Sequence, residues 1–426
     1  MTTTTPDALQ WPYLTSSIPA VAAAVKRRYE DFRVIEMPAY EPCGDGTHTY
    51  FRIEKAGLAT LHAVSDIARA LGVASRQIGL AGLKDARAVT TQWLSVEHVD
   101  PRRVLALEIP RIRILNAARH TNKLKIGHLR GNRFQIRLRD VDPARIDDLH
   151  AILDVLGRRG VPNYFGGQRF GSRGDTWEIG SAIIRRDFAA ALGLMLGRPG
   201  PHDHGRVLRA RQLYDEGDYA KAAGAWPYMF RDNARACRVL AKSGGRHERA
   251  YHAIDARLRK FFVNAYQSCL FNRCLSRRLG DFDSVRVGDL AYKHDNGAVF
   301  LVEDAGAEAP RAAGFEISPT GPIYGGRMTR ATGEPGRIEA AILDEEQLTI
   351  DAFGGIQGVK VHGSRRPLRF AMRELAVETG SDDAGPFVEL AFAIDSGCYA
   401  TMILREICKE ALSEGLADGQ TADDAD

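Results

Sequence analysis

"GLAGLKDARAVTTQWLSV", residues 79–96, is apolar and β-rich towards its ends and carries a single acid, Asp85. Ile78-Gly79-Leu80-Ala81 is a short apolar run, and Thr91–Val96 is a β-branched and aromatic run with partial alternation. The spacing predicts two buried strands with Asp85 in the loop between them. A loop between core strands is where a rigid scaffold presents a side chain to solvent or to a ligand. An aspartate there has two readings: a turn residue bonding nearby amides, or a carboxylate placed against an anionic partner.

Working outward, "EDFRVIEMP" reads as a strand through Phe32, Val34 and Ile35, ended by Pro38, and "HTYFRIEKAG" as a second. "LATLHAVSDIARALGV" has Leu61, Val64, Ile67, Ala68 and Leu71 at helical spacing. "RIRILNAARH" and "GNRFQIRLRDV" alternate apolar residues with arginine, which predicts strands with one core face and one basic face. "DPARIDDLHAILDVLGRRG" is a helix, with Pro143 near its start and Gly157 near its end. Residues from Thr176 to Leu279 read as mostly helical. Strand signals return at "VRVGDLAYKHDNGAVFLV" and at Val388–Ile394, followed by a helix from Tyr399 to Leu412.

The pattern is α+β: a β-rich body interrupted by a mainly helical insert. The expected boundaries are a flexible segment 1–25, a discontinuous body 26–172 and 346–412, an insert 173–345, and an acidic tail 413–426.

A chain of 426 residues, 44% hydrophobic, can bury a large core, and none of its apolar runs is long enough to span a membrane. The N-terminus lacks the basic and apolar stretches of a signal peptide. The six scattered cysteines make no paired metal spacing, as expected of free thiols in a reducing cytoplasm. His202 and His204 are the only tight histidine pair, in a Pro/Gly/Asp-rich loop, and no metal is expected there.

The net charge of +4 hides two basic runs. Twelve Lys/Arg face three acids between Pro101 and Arg145, and nine face three between Arg231 and Lys260. Six acids and no Lys or Arg fill the last seventeen residues. Basic runs interleaved with aromatics and glycines point to nucleic acid, although either could be a solvated face.

Several further residues carry two readings. Lys26 and Phe32 are a surface lysine and a core ring, or a phosphate contact and a stacking ring. Asn132 and Phe134 in "GNRF" are a turn amide and a core ring, or parts of a nucleotide pocket. "NYFGGQRFGSRG" (163–174) is a hinge, or a glycine-rich approach to a phosphate chain with Arg169 and Arg173 as its cations.

Taken in order, "EDFRVIE", "AGLKDARAVTTQW", "GNRF", "VPNYFGGQRFG", "NAYQSCLFN", "GPIYG" and "GCYATMILRE" resemble the TruD family of tRNA pseudouridine synthases, from about residue 26 to 412. The motifs lie outside residues 177–249. Two positions depart from the usual pattern: Tyr29 before "EDF" and Cys398 in "GCYAT".

The resemblance implies a pseudouridine-synthase body with an inserted TRUD domain. It implies cofactor-free and metal-free conversion of uridine to pseudouridine in tRNA, at D-arm position 13 for bacterial members. No membrane or protein partner is implied. By motif position Asp85 would be the catalytic aspartate, and Lys26, Phe32, Asn132 and Phe134 would line the nucleotide pocket. Lys84 and Arg87 are the local cations expected to keep Asp85 ionised. A non-catalytic RNA binder and a synthase acting on another RNA are the rivals.

Overall fold

The computed structural model describes residues 9–201, 203–356 and 358–414. The chain divides into two compact units, Thr15–Val161 with the chain from Phe370 onward, and Pro162–Arg369 with residues 9–14. The changeovers at 161/162 and 369/370 lie outside the helical run. The sequence reading puts these boundaries at 172/173 and 345/346.

The first unit is built on a mixed sheet, ten-stranded among the described residues. Its central path runs Arg373–Asp382, Gly385–Asp395, Leu129–Arg139, Phe32–Pro38, Val89–Glu97, His48–Ala56, Ile112–His120. All neighbours on this path are antiparallel except Phe32–Pro38 against Val89–Glu97. Val89–Glu97 is central and buried except at Glu97, which is why its sequence alternates only in part. Helix Thr60–Leu71 buries Ala63, Val64, Ile67, Ala68 and Leu71 and ends at Gly72, which takes the left-handed conformation with φ 73°. Its apolar stripe packs on Phe51, Ile53, Leu94 and Val96.

At Gly131 the Leu129–Arg139 strand runs so close to its neighbour that a Cβ would lie 2.2 Å from the Ile394 carbonyl. Glycine is required there for the close backbone approach, not for an unusual φ.

The segment 15–25, read from composition as loosely attached, is held at several points. Thr15 donates its amide and hydroxyl to the buried Glu406 carboxylate at 3.0 and 2.9 Å. Ala23–Val25 pairs in parallel with Leu412–Glu414 and meets Arg139. Residues 1–8 and 415–426, which include most of the acidic tail, lie outside the described residues.

The basic face predicted for this sheet is largely cancelled by acids from neighbouring strands. Arg137 bonds Asp382 and Glu389, Arg133 pairs with Glu374, and Arg113 pairs with Glu54 at 2.8 Å. Arg139 is fully buried between Asp31 and Asp382. A count along the chain missed this, because the acids arrive from strands distant in sequence.

In the second unit, helices fill most of Thr176–Arg278, as the periodicity predicted. They enclose a core that includes Leu192, Leu196, Leu213, Trp226, Leu240, Tyr251 and Leu270. A four-stranded sheet follows, Val299–Leu301, Leu290–Lys293, Ile317–Ile323, Ser364–Pro367, among the described residues. Asn272 accepts from the Phe165 amide and donates to the Phe165 carbonyl, both at 2.9 Å, so the "NYFGG" loop is pinned to the long helix Ala256–Arg278. No helix among the described residues is long and apolar enough to cross a membrane.

Candidate active site

Asp85 lies between the short strand Gly79–Leu80 and the strand Val89–Glu97. Three groups hold its loop from behind. The Lys84 amide donates to Thr60 Oγ1 at 2.9 Å, and the Thr60 hydroxyl lies 3.0 Å from Gln92 Oε1. The Lys84 side chain turns inward and its ammonium sits 2.7 Å from Glu36, in an ion pair almost fully removed from solvent. Glu36 also accepts the Trp93 amide at 3.0 Å. The third group is Lys55, only 1% exposed, which donates to the backbone carbonyls of Leu58 at 2.5 Å and Asp85 at 3.0 Å.

The Asp85 carboxylate itself is held from both sides. Lys26 donates to Oδ2 at 2.7 Å, and the Arg87 amide donates to Oδ1 at 2.9 Å in the manner of an Asx turn. Lys26 is buried and has φ 57°, a left-handed conformation that costs a non-glycine residue roughly 1–2 kcal/mol. Burial pushes the Asp85 carboxyl up, but the Lys26 hydrogen bond and charge, the Arg87 amide and the Lys55 charge outweigh it. The net effect holds Asp85 below the usual carboxylate range, with its side chain still 35% exposed. Burial lowers Lys55 to about 8, against the raising effect of Asp85.

The carboxylate is therefore ionised at neutral pH and partly open to solvent. Such a group can act as a nucleophile or as a base.

The cations expected to hold Asp85 were Lys84 and Arg87. The structure gives that role to Lys26, supported by Lys55, because Lys84 is committed to Glu36 and Arg87 contributes its backbone amide. Sequence reading missed Lys55, Glu36, Thr60 and Gln92. A signal was present: Phe51, Ile53 and Lys55 share one face of a strand, as do Phe32, Val34 and Glu36. A charged residue ending an apolar face is out of place unless it is paired.

The aromatic residues of the reading come together. Phe32 and Phe134 meet edge to face at 6.0 Å, and Phe134 stacks on Phe392 at 5.5 Å. The Lys26 ammonium lies over the Phe32 ring, 4.6 Å from its centre. Both Phe32 and Phe134 are buried. Asn132 stands opposite Glu36 on one side and Ile394 on the other, and its Oδ1 is a buried acceptor without a hydrogen-bond partner.

Arg169 and Arg173 belong to the other unit. Arg169 lies over the Phe165 ring, 5.2 Å from its centre. Arg173 donates to Asp175 at 2.8 Å, Asp203 at 2.6 Å and the Arg198 carbonyl at 3.0 Å, which uses all three of its guanidinium nitrogens.

The six cysteines are free, and burial raises Cys237 to about 11 and Cys269, Cys274 and Cys408 to about 12. No three His, Cys, Asp or Glu side chains among the described residues gather as metal ligands. His204 precedes helix Gly205–Asp215, and His202 lies outside the described residues.

A family model described as tRNA pseudouridine synthase D (TruD) matches residues 8–407. The chain is 46% identical over 398 residues to a protein of Geotalea daltonii named tRNA pseudouridine synthase D, covering 93% of this chain and 99% of that one. A protein of the same name from Geobacter sulfurreducens is 46% identical over 397 residues, covering 93% and 96%. The solved structure of a putative tRNA pseudouridine synthase D from Methanosarcina mazei superposes with TM-score 0.82 at 26% identity, covering 93% of this chain and 96% of that one.

Proposed function

The chain belongs to the TruD family of pseudouridine synthases and is an isomerase acting on RNA; from that premise we propose that its substrate is tRNA, that its target is the D-arm uridine at position 13, and that Asp85 is its catalytic group. The unit carrying Asp85 is the catalytic unit in this reading, and the Pro162–Arg369 unit is the inserted domain. The six free cysteines accord with a reducing, cytoplasmic compartment.

Uridine is joined to ribose through N1 and pseudouridine through C5. The N1–C1′ bond breaks, the base turns, C5 bonds to C1′, and the C5 proton is lost while N1 takes one up. The target must leave the RNA stack, at a cost of about a few kcal/mol. The ionised carboxylate can attack C1′, attack C6 of the ring, or take the C2′ proton, and all three routes start from the charge that Lys26 stabilises.

Asn132, whose Oδ1 is buried without a hydrogen-bond partner, is proposed to position the detached uracil or the Asp85 loop. Phe32 and Phe134 are buried, so they serve this reading as a wall beside the uracil and not as open stacking platforms. Lys26, already bonded to Asp85, sets the charge of the pocket, and Arg87 can reach the RNA backbone beside it.

The observation that carries the reading is the exposed, ionised Asp85 held between Lys26 and the Arg87 amide. The test is tritium release from tRNA labelled at uridine C5, without added metal or nucleotide, wild type beside Asp85→Asn. Release by wild type alone, mapped to position 13, is the expected result. Equal release by the variant would remove Asp85 from the chemistry, and release from another RNA would remove the tRNA assignment.

A further inference from the structure

The two basic runs of the sequence have different fates. In Pro101–Arg145 the strand arginines are largely neutralised, Arg113, Arg133, Arg137 and Arg139 each meeting a carboxylate. In the run from Arg231 the acids do not cancel the helix in the same way. Helix Arg231–Ser243 buries Asn233, Ala234, Ala236, Cys237 and Leu240 against its unit. Its opposite face carries Arg231, Arg235, Arg238 and Lys242, spaced four, three and four residues apart and all exposed. That spacing aligns them along one stripe about 16 Å long.

Among the described residues Arg231, Arg238 and Lys242 have no acidic partner. Arg238 makes one bond, to the Ala234 carbonyl at 3.2 Å, and Arg235 lies 3.6 Å from Asp232. The same Asp232 oxygen also accepts the Asp255 amide at 3.0 Å, at the head of helix Ala256–Arg278.

A second feature adjoins the stripe. Tyr228 and Met229, immediately before the helix, are 88% and 79% exposed, although both are large and apolar. An exposed ring beside a row of unpaired cations has the composition of a nucleic-acid surface, in which the cations follow phosphates and the ring stacks on a base. The short motifs quoted for the family resemblance lie outside this segment.

We propose that the Arg231–Ser243 helix, with Tyr228 at its head, is a docking surface for the phosphate backbone of the substrate RNA. The proposal rests on the tRNA reading above and concerns only grip, with no part in the chemistry. Three unpaired cations in line neutralise about three phosphates. Their contribution depends on salt and is indifferent to base sequence.

The test uses the full chain with Arg231→Gln, Arg238→Gln and Lys242→Gln combined, all on an exposed face, with circular dichroism to confirm folding. tRNA binding is titrated across a salt series, and turnover is measured in parallel. The expected slope of log Kd against log salt falls by about 2–3. KM for tRNA should rise on the order of 10-fold with kcat at saturation unchanged, and Lys at the two arginine positions with Lys242 retained should restore both. Tyr228→Ala should weaken binding without altering the slope.

An unchanged slope and KM in the triple variant would overturn the proposal, leaving the stripe to an acidic protein partner or to solvent. Wild type that binds tRNA with the expected slope but never turns it over would overturn the catalytic reading instead, because the slope is read from binding alone.

Discussion

The Lys26 ammonium is held between two partners, the Asp85 carboxylate at 2.7 Å and the Phe32 ring at 4.6 Å from its centre. One buried cation thus links the two residues that sequence reading had assigned to separate roles. The left-handed backbone of Lys26 accompanies a side chain that ends on the Asp85 carboxylate.

Replacing Lys26 by Met should remove the largest of the effects that lower the Asp85 carboxyl, leaving burial to push it up. In the wild type, stability and activity that depend on ionised Asp85 are complete above the usual carboxylate range and lost as pH falls through a lower value. In Lys26→Met the acid limb of kcat should shift upward, and turnover at pH 7 should fall on the order of 10²-fold. A tritium-release profile between pH 4 and 8 checks this. An acid limb in the same place would show that Lys26 does not set the charge of Asp85.

Asp31, in the "EDF" motif, has a structural role. It is fully buried, takes Arg139 Nη2 at 2.6 Å and Nε at 3.0 Å, and accepts the Arg28 amide at 3.0 Å. Asp31→Asn leaves the buried guanidinium with Asp382 alone. Breaking a buried pair in this way costs about 3–5 kcal/mol. Urea denaturation should show that loss, while the folded fraction keeps a near-normal KM for tRNA.

Asp85 was legible in the sequence because a lone acid between two apolar β-runs is anomalous within one short window. The strands through Phe32, Phe51, Trp93 and Phe134 and the helix from Thr60 were legible because each carries its own period. The partners of Asp85 were not, since Lys26 and Lys55 are 59 and 30 residues away along the chain. Choosing them over the adjacent Lys84 requires the strand order. The same limit applies to charge, because Arg137 looks free until Asp382 and Glu389 arrive on the strand pair Arg373–Asp382 and Gly385–Asp395.

Thr60→Val keeps the shape of the side chain and deletes the acceptor for the Lys84 amide and the donor facing Gln92 Oε1. Removing one partner of a buried hydrogen bond costs about 1–3 kcal/mol. With the Asp85 loop held less firmly, kcat should fall on the order of 10-fold. KM should hardly change, because Thr60 is buried. A matching loss in Tm with unchanged kcat would reduce Thr60 to a purely structural residue.

Lys55 separates activity from stability on the alkaline side. Burial lowers its ammonium from 10.5 to about 8. Below pH 8 the charge supports the Asp85 loop and helps keep the carboxylate ionised, at some cost to folding. Between about pH 8 and 10.5 the folded protein gives up a proton that the unfolded chain keeps, so stability attributable to this group rises with pH. Activity should do the opposite, falling as pH passes 8. Lys55→Met should therefore abolish the alkaline limb near pH 8 and lower kcat throughout, since the bonds to the Leu58 and Asp85 carbonyls are lost at every pH. Paired profiles of kcat and urea stability from pH 6 to 10 test both signs. If the two curves fell together above pH 8 in the wild type, a group other than Lys55 would control the alkaline side.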